Sequence, residues 1–162
     1  MRFLVFLLLF IISCQAERTI YNINFVDLKG NPARMEKPVN KKLLLYVWTG
    51  TCTGHTDDMK VINENYEKLS QKYEVVSLAV FMTPQDVLKV LKDYGIKPKF
   101  KVLVDPKGNI TELVKLVFLP STMIFNEEGE LVKEYPRFPL KELISFVEPY
   151  YVSLCEDFPV HF

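Results

Sequence analysis

Two side chains capable of chemistry lie close together in the segment 48–58, which reads WTGTCTGHTDD. Cys52 supplies a thiol, and its thiolate form attacks disulfides and binds soft metals. His55 follows three positions later; a protonated imidazole stabilises a nearby thiolate, and a neutral one accepts the thiol proton. The pattern predicts a site with Cys52 as nucleophile and His55 as the residue that tunes it.

The elements on either side of this segment would place Cys52 where a strand meets a helix. Residues 41–48, KKLLLYVW, form the continuous apolar run typical of a strand buried on both faces. Residues 53–73 repeat apolar positions at three- and four-residue steps and predict a helix. The free N–H groups and the dipole at the helix start favour a thiolate. Asp57 and Asp58 would form a solvated face of the first turns.

The rest of the chain alternates strand and helix patterns, which predicts an α/β fold. We expect a central mixed sheet with helices on both faces and an N-terminal β-hairpin extension. Thr83 is a natural cap for its helix and Pro84 a natural first residue. The further predicted elements are a hairpin over 23–35 with its turn at 29–32, a strand over 74–81, a helix over 83–95, a strand over 100–105, a hairpin over 121–136 and a helix over 139–151.

The first residues read as a targeting segment rather than as part of the fold. Arg2 precedes ten apolar residues, 3–12, a length typical of a secretory signal and short for a membrane span. The ending IISC resembles a bacterial lipobox, which implies that Cys14 is lipidated and anchors the chain to the cell envelope. An ordinary signal peptide or an uncleaved anchor is the alternative. We therefore expect a signal peptide over 1–13, a tether over 14–22, a domain over 23–151 and a tail over 152–162.

Composition limits the remaining function classes. The chain has 162 residues, a formal net charge of zero and 25% charged residues. Basic and acidic residues are interspersed, so nucleic-acid binding is not expected. With Cys14 lipidated, Cys52 and Cys155 remain, and two thiols outside the cytoplasm permit one disulfide.

Four blocks in order resemble the thioredoxin-like superfamily, and within it the membrane-anchored envelope thiol-disulfide oxidoreductases of the TlpA and ResA type. They are NFVDLKGNP, KKLLLYVWTGTC, VLVDPKGN and LVFLPSTMIFNEEGEL. The resemblance implies a thioredoxin-like fold and a cis peptide bond at Pro120. It also implies a substrate-binding surface formed by Pro120, Leu119 and Trp48.

The chain departs from that family at the second cysteine of the CxxC motif, which is His55 here. Imidazole forms no disulfide, so the usual dithiol cycle cannot close within the motif. A small thiol, a partner protein or Cys155 would have to resolve a mixed disulfide on Cys52. We expect a monomer that needs no cofactor and exchanges disulfides with an envelope protein partner.

Three alternatives remain open on the sequence. The TxxC of TGTC, residues 49–52, occurs in peroxiredoxins, but Tyr46 stands where those enzymes carry a proline. In the second alternative Cys52 and His55 share a soft metal such as Cu(I), although two ligands are few. In the third alternative the domain has lost its catalysis and retains only partner binding, which predicts an inert Cys52 thiol.

Overall fold

The computed structural model of the chain describes residues 18–52 and 54–145. The predicted signal peptide, the first four residues of the tether including Cys14, and the tail with Cys155 lie outside the described residues. Within the described ranges, no helix is both long and apolar enough to cross a membrane.

Seven strands form one mixed sheet in the order β2-β1-β5-β4-β3-β6-β7. The three central strands β3, β4 and β5 run parallel, and every other pairing is antiparallel. The expected N-terminal hairpin is present as two short strands at one edge. The strands are β1 (Phe25–Val26), β2 (Pro32–Ala33), β3 (Lys42–Trp48), β4 (Tyr73–Val80), β5 (Lys101–Asp105), β6 (Ser121–Phe125) and β7 (Leu131–Pro136).

Strand β3 is buried on both faces, as its continuous apolar run predicts. Leu44, Tyr46 and Trp48 point into one apolar cluster, whereas Leu43 and Leu45 point into a second cluster on the opposite face. This alternation follows from the two-residue period of a strand.

The described helices cover the two faces of the sheet unequally. The buried apolar residues of all four α-helices belong to the cluster that contains Trp48. Two 3₁₀ helices, Ile20–Asn22 and Asn109–Glu112, cover the other face. The crossovers from β3 to β4 and from β4 to β5 advance in the same direction, so right-handed connections place both crossover helices on one face. The α-helices are α1 (His55–Glu64), α2 (Tyr66–Leu69), α3 (Pro84–Asp93) and α4 (Leu140–Ile144).

The prediction of one continuous helix over 53–73 is wrong. Helix α1 begins at His55 and ends at Glu64, and α2 is a separate short helix. Asn65 separates them: its side-chain amide donates a 2.8 Å hydrogen bond to the carbonyl of Val61. Such a local bond competes with continuation of the helix.

Helix α3 begins as predicted. The Thr83 hydroxyl accepts from the Asp86 N–H while the Asp86 carboxylate accepts from the Thr83 N–H, so both halves of a capping box are present. Of the final helix predicted over 139–151, the described part is α4.

One edge of the sheet brings together segments that are distant in sequence. The carboxyl ends of β3, β4 and β5 meet there because these strands are parallel. Ser121, at the start of β6, pairs with Val47 near the end of β3 and with Pro136 at the end of β7. The turn after β3, the loop before β6 and the loop after β7 therefore lie side by side.

Candidate functional site

Cys52 lies in a tight turn between β3 and α1 and is partly exposed. Its N–H donates to the Thr49 carbonyl at 3.0 Å, and the Thr49 N–H approaches its Sγ at 3.4 Å. Helix α1 begins three residues later, after the N-cap Gly54, which has a left-handed φ of 83°. Cys52 thus lies between the strand and the helix, before the first residue of α1, and the N–H that approaches its sulfur belongs to the turn.

His55 opens α1 and is almost completely buried, with 6% of its surface exposed. Its Nδ1 lies 2.5 Å from the carbonyl oxygen of Cys52. A carbonyl only accepts, so Nδ1 carries the proton of this bond. Nε2 is buried and has no hydrogen-bond partner among the described residues. Within those residues His55 thus holds the backbone of Cys52, and no hydrogen bond joins it to the thiol.

Trp48 supports the imidazole from the end of β3. The two rings stack with centroids 4.9 Å apart and an angle of 9° between their planes. The indole N–H donates a 2.8 Å bond to the Ser77 hydroxyl, and both residues are fully buried. The predicted direct contact of Trp48 with a substrate is incompatible with this burial, because no part of its surface is exposed. Trp48 instead fixes the plane of the His55 ring.

A polar group under the turn was not predicted as part of the site. The buried Tyr46 hydroxyl donates to Oδ2 of Asp58 at 2.9 Å, and an Arg137 nitrogen lies 3.7 Å from Oδ1. Burial raises the pKa of Tyr46 above its ordinary value; the negative charges of Asp58 and of a Cys52 thiolate add to this, and Arg137 opposes it. The side chain of Asp58 is 13% exposed, so its placement on a solvated face is wrong.

A signal for this group was present in the sequence. Tyr46 interrupts an otherwise apolar strand, and a buried hydroxyl needs a partner. The partner itself, Asp58, is identified only by the packing of α1 on β3.

Pro120 immediately precedes β6 and follows a cis peptide bond from Leu119. Pro120 is buried and Leu119 is half-buried. The Pro120 carbonyl accepts a 3.1 Å bond from the N–H of Arg137, and the Arg137 carbonyl accepts a 2.6 Å bond from the Thr122 hydroxyl. The loop that carries the proline is thus tied to the loop that follows β7.

The structure brings Cys52, His55 and Trp48 into one connected group, with Pro120 on the adjoining loop of the same sheet edge. Cys14 and Cys155, the predicted lipidation site and the possible resolving thiol, lie outside the described residues. In the described part of the chain, no three His, Cys, Asp or Glu residues gather at a place that could hold a metal ion.

Comparison with known proteins gives a family and several relatives. The model of the AhpC/TSA family matches residues 16–134. The thiol-disulfide oxidoreductase ResA of Bacillus thuringiensis subsp. konkukian is 28% identical over 125 residues, which is 75% of this chain and 71% of that protein. ResA of Bacillus subtilis is 25% identical over 144 residues, covering 78% and 79% of the two chains.

Solved structures resemble the fold. The exposed lipoprotein thioredoxin of Streptococcus pneumoniae aligns with a TM-score of 0.62 and 24% identity, over 76% of this chain and 95% of that one. StoA of Bacillus subtilis aligns with a TM-score of 0.63 and 18% identity, over 81% and 100%. These matches confirm the thioredoxin-like α/β fold with its mixed central sheet.

Proposed function

Because this chain belongs to the AhpC/TSA family and is similar to proteins named thiol-disulfide oxidoreductases, we propose that it performs thiol–disulfide exchange through the single thiol of Cys52. The observation that carries the proposal is the partly exposed Cys52 on the turn after β3. The loop of Pro120 borders this turn at the sheet edge. A thiol that a substrate disulfide can reach is the first requirement of this reaction.

The reaction proceeds by exchange without an internal resolving step. The Cys52 thiolate attacks one sulfur of a substrate disulfide, forms a mixed disulfide and releases the other substrate sulfur as a thiolate. A dithiol protein would then close its own disulfide, but an imidazole stands at the second position. A second thiol from outside the motif must attack the mixed disulfide and regenerate Cys52.

His55 acts in this proposal on the backbone of Cys52. The hydrogen bond from Nδ1 to the Cys52 carbonyl and the stack on Trp48 fix the turn that presents the sulfur. His55 is not proposed to accept the thiol proton. Its Nδ1 is already bonded to the Cys52 carbonyl, and its Nε2 is buried and has no hydrogen bond to the thiol within the described residues.

The loop before β6 is proposed to receive the protein partner. Val117 and Phe118 are 59% and 53% exposed and form an adjacent pair of large apolar side chains, and Leu119 and Pro120 follow them directly. An extended segment of a disulfide-bearing protein would lie against this loop, beside the turn of Cys52.

The proposed location is the cell envelope, with residues 1–13 removed and Cys14 lipidated. The lipobox-like IISC supports it, and a structural relative is named an exposed lipoprotein thioredoxin. In this arrangement a tether leads from Cys14 to the domain; its predicted bounds, 14–22, overlap the 3₁₀ helix Ile20–Asn22, which packs on the sheet. Residues 23–151 form a monomeric domain and residues 152–162 a tail.

The test uses the full chain carrying C14S and C155S, so that Cys52 is its only thiol. This protein is mixed with a small excess of 4,4′-dithiodipyridine at neutral pH, and the released thiopyridone and the intact mass are followed. We expect one thiopyridone per chain and a stable mixed disulfide, both absent from the C52S variant. An unreactive thiol in the native chain that reacts after unfolding in urea would refute catalysis and support a binding role.

A second arm replaces the disulfide with hydrogen peroxide. If Cys52 consumed peroxide faster than it exchanged with disulfides, forming a sulfenic acid, the peroxidase alternative would replace the proposed function.

A further inference from the structure

We propose that Arg137 binds the carboxylate of a low-molecular-weight thiol and thereby selects anionic thiols as the agents that resolve the mixed disulfide on Cys52. The inference rests on the proposed function and names the class of its second substrate.

The backbone of Arg137 is held in an unusual position. Its φ is 69°, in the left-handed region that side chains other than glycine rarely adopt. The bonds from its N–H to Pro120 and from the Thr122 hydroxyl to its carbonyl retain this conformation. A residue in this region costs conformational free energy and persists only where surrounding contacts hold it. Such residues are concentrated at functional sites.

The Arg137 side chain extends from this loop to the turn of the thiol. A β-carbon built on Gly54 would overlap a terminal nitrogen of Arg137, so the guanidinium lies directly against the glycine. Gly54 is two residues after Cys52. Asp58 joins the same group, since one of its carboxylate oxygens lies 3.7 Å from Arg137 and the other accepts the bond from the buried Tyr46 hydroxyl beneath the turn.

The guanidinium retains most of its hydrogen-bonding capacity. It has five N–H donors in a planar fork that matches a carboxylate. Within the described residues it makes one ion pair, with Asp58 at 3.7 Å, beyond hydrogen-bond length. The exposed fractions decide which charge a ligand meets: the side chain of Arg137 is 61% exposed and that of Asp58 is 13%. A solute that approaches the turn therefore meets the cation.

The reaction balances with two equivalents of the small thiol. The first thiolate attacks Sγ of Cys52 in the mixed disulfide, expels the substrate sulfur as a thiolate and becomes disulfide-bonded to Cys52. The second thiolate attacks the small-molecule sulfur of that bond, which releases the oxidised small disulfide and the Cys52 thiolate. Two small thiols are oxidised, one substrate disulfide is reduced to two thiols, and the protons pass from the former to the latter.

The test measures the first of these attacks in the full C14S/C155S chain, loaded on Cys52 with 4-thiopyridine. Release of thiopyridone is timed with 3-mercaptopropionate, which is anionic, and with neutral 2-mercaptoethanol. Each rate constant is expressed per thiolate and divided by its value for the same chain unfolded in urea. This division removes the intrinsic reactivity of the two thiols, and the corrected ratio of the anionic to the neutral rate is the readout.

We expect a corrected ratio above one that falls about two- to fivefold in R137Q, the range of an exposed charge-assisted contact. R137K should keep part of the preference, since it retains the charge without the fork, and added salt should weaken the preference in the wild type. K92Q is the matched control: it removes the same charge at the end of α3, whose other end faces the site. Its ratio should equal that of the wild type.

The two proposals fail in different ways. A wild-type ratio of one, or a ratio unchanged by R137Q, would overturn the role of Arg137 while leaving exchange at Cys52 intact. Failure of Cys52 to accept 4-thiopyridine in the native chain would refute the proposed function itself. If R137Q lost its fold, R137K and the salt dependence would still decide the matter.

Discussion

Replacing His55 with phenylalanine tests whether the buried Nε2 of His55 lacks a hydrogen-bond partner in solution as well. The substitution removes the hydrogen bond to the Cys52 carbonyl, a loss of about 1 kcal/mol, and water can replace it because Cys52 is partly exposed. It also removes a buried ring nitrogen without a partner, which costs the wild type about 1–3 kcal/mol. The stack on Trp48 is retained. We therefore expect H55F to unfold with a free energy about 1 kcal/mol higher than the wild type.

Two further variants separate the contributions of the ring. H55A removes both the stack and the packed volume, so it should be roughly 2–3 kcal/mol less stable than H55F. H55N retains an amide donor near the position of Nδ1 but lacks the ring. If the stack on Trp48 contributes more stability than the hydrogen bond, the unfolding free energy of H55N should be close to that of H55A.

Urea unfolding of the full chain measures these differences. The fluorescence of Trp48, the only tryptophan, reports on the site, and circular dichroism provides an independent probe of the same transition. A loss of more than about 1 kcal/mol in H55F would refute the reasoning, because it would mean that Nε2 has a stabilising partner in solution.

Three further predictions concern the same group of residues. H55C restores a second thiol, and in the C14S/C155S chain we expect one equivalent of 4,4′-dithiodipyridine to close an internal disulfide with Cys52. Intact mass would show a loss of two hydrogens, whereas persistent thiopyridine adducts would contradict this. S77A leaves the buried N–H of Trp48 without an acceptor and should lower the unfolding free energy by about 1–3 kcal/mol, as measured in urea. The raised pKa of Tyr46 stabilises the fold below the unfolded tyrosine pKa, and this contribution is lost as pH rises above it, by about 1.4 kcal/mol per pH unit. Between pH 10 and 11 the unfolding free energy of Y46F should fall less steeply than that of the wild type. Equal slopes for the two proteins would contradict a raised pKa of Tyr46 in the folded state.

The sequence predicted the fold because its local signals agree with one another. The apolar run of β3 and the cap of α3 each specify an element from a few adjacent residues. The position of Cys52 after a buried strand followed directly, since a strand that ends at Trp48 must expose the next turn. The break at Asn65 was missed because its cause is a single side-chain bond within an otherwise helical pattern.

The chemistry around Cys52 depends on contacts that no local pattern encodes. His55 was predicted from its spacing alone, but spacing does not show that its ring stacks on Trp48 and holds a carbonyl rather than the thiol. Asp58 was predicted to be solvated, because its contacts with Tyr46 and Arg137 exist only once α1 and the loop after β7 are packed against β3.

By itself the sequence determined that a lone thiol follows a buried strand and that its CxxC partner is replaced by imidazole. The tertiary structure decided what surrounds that thiol. Mixed strand directions bring the turn of Cys52, the loop of Pro120 and Arg137 to one sheet edge, although long stretches of sequence separate them. Hydrogen bonds and burial depend on such distant neighbours, so the electrostatics of the site became visible only once the sheet was assembled.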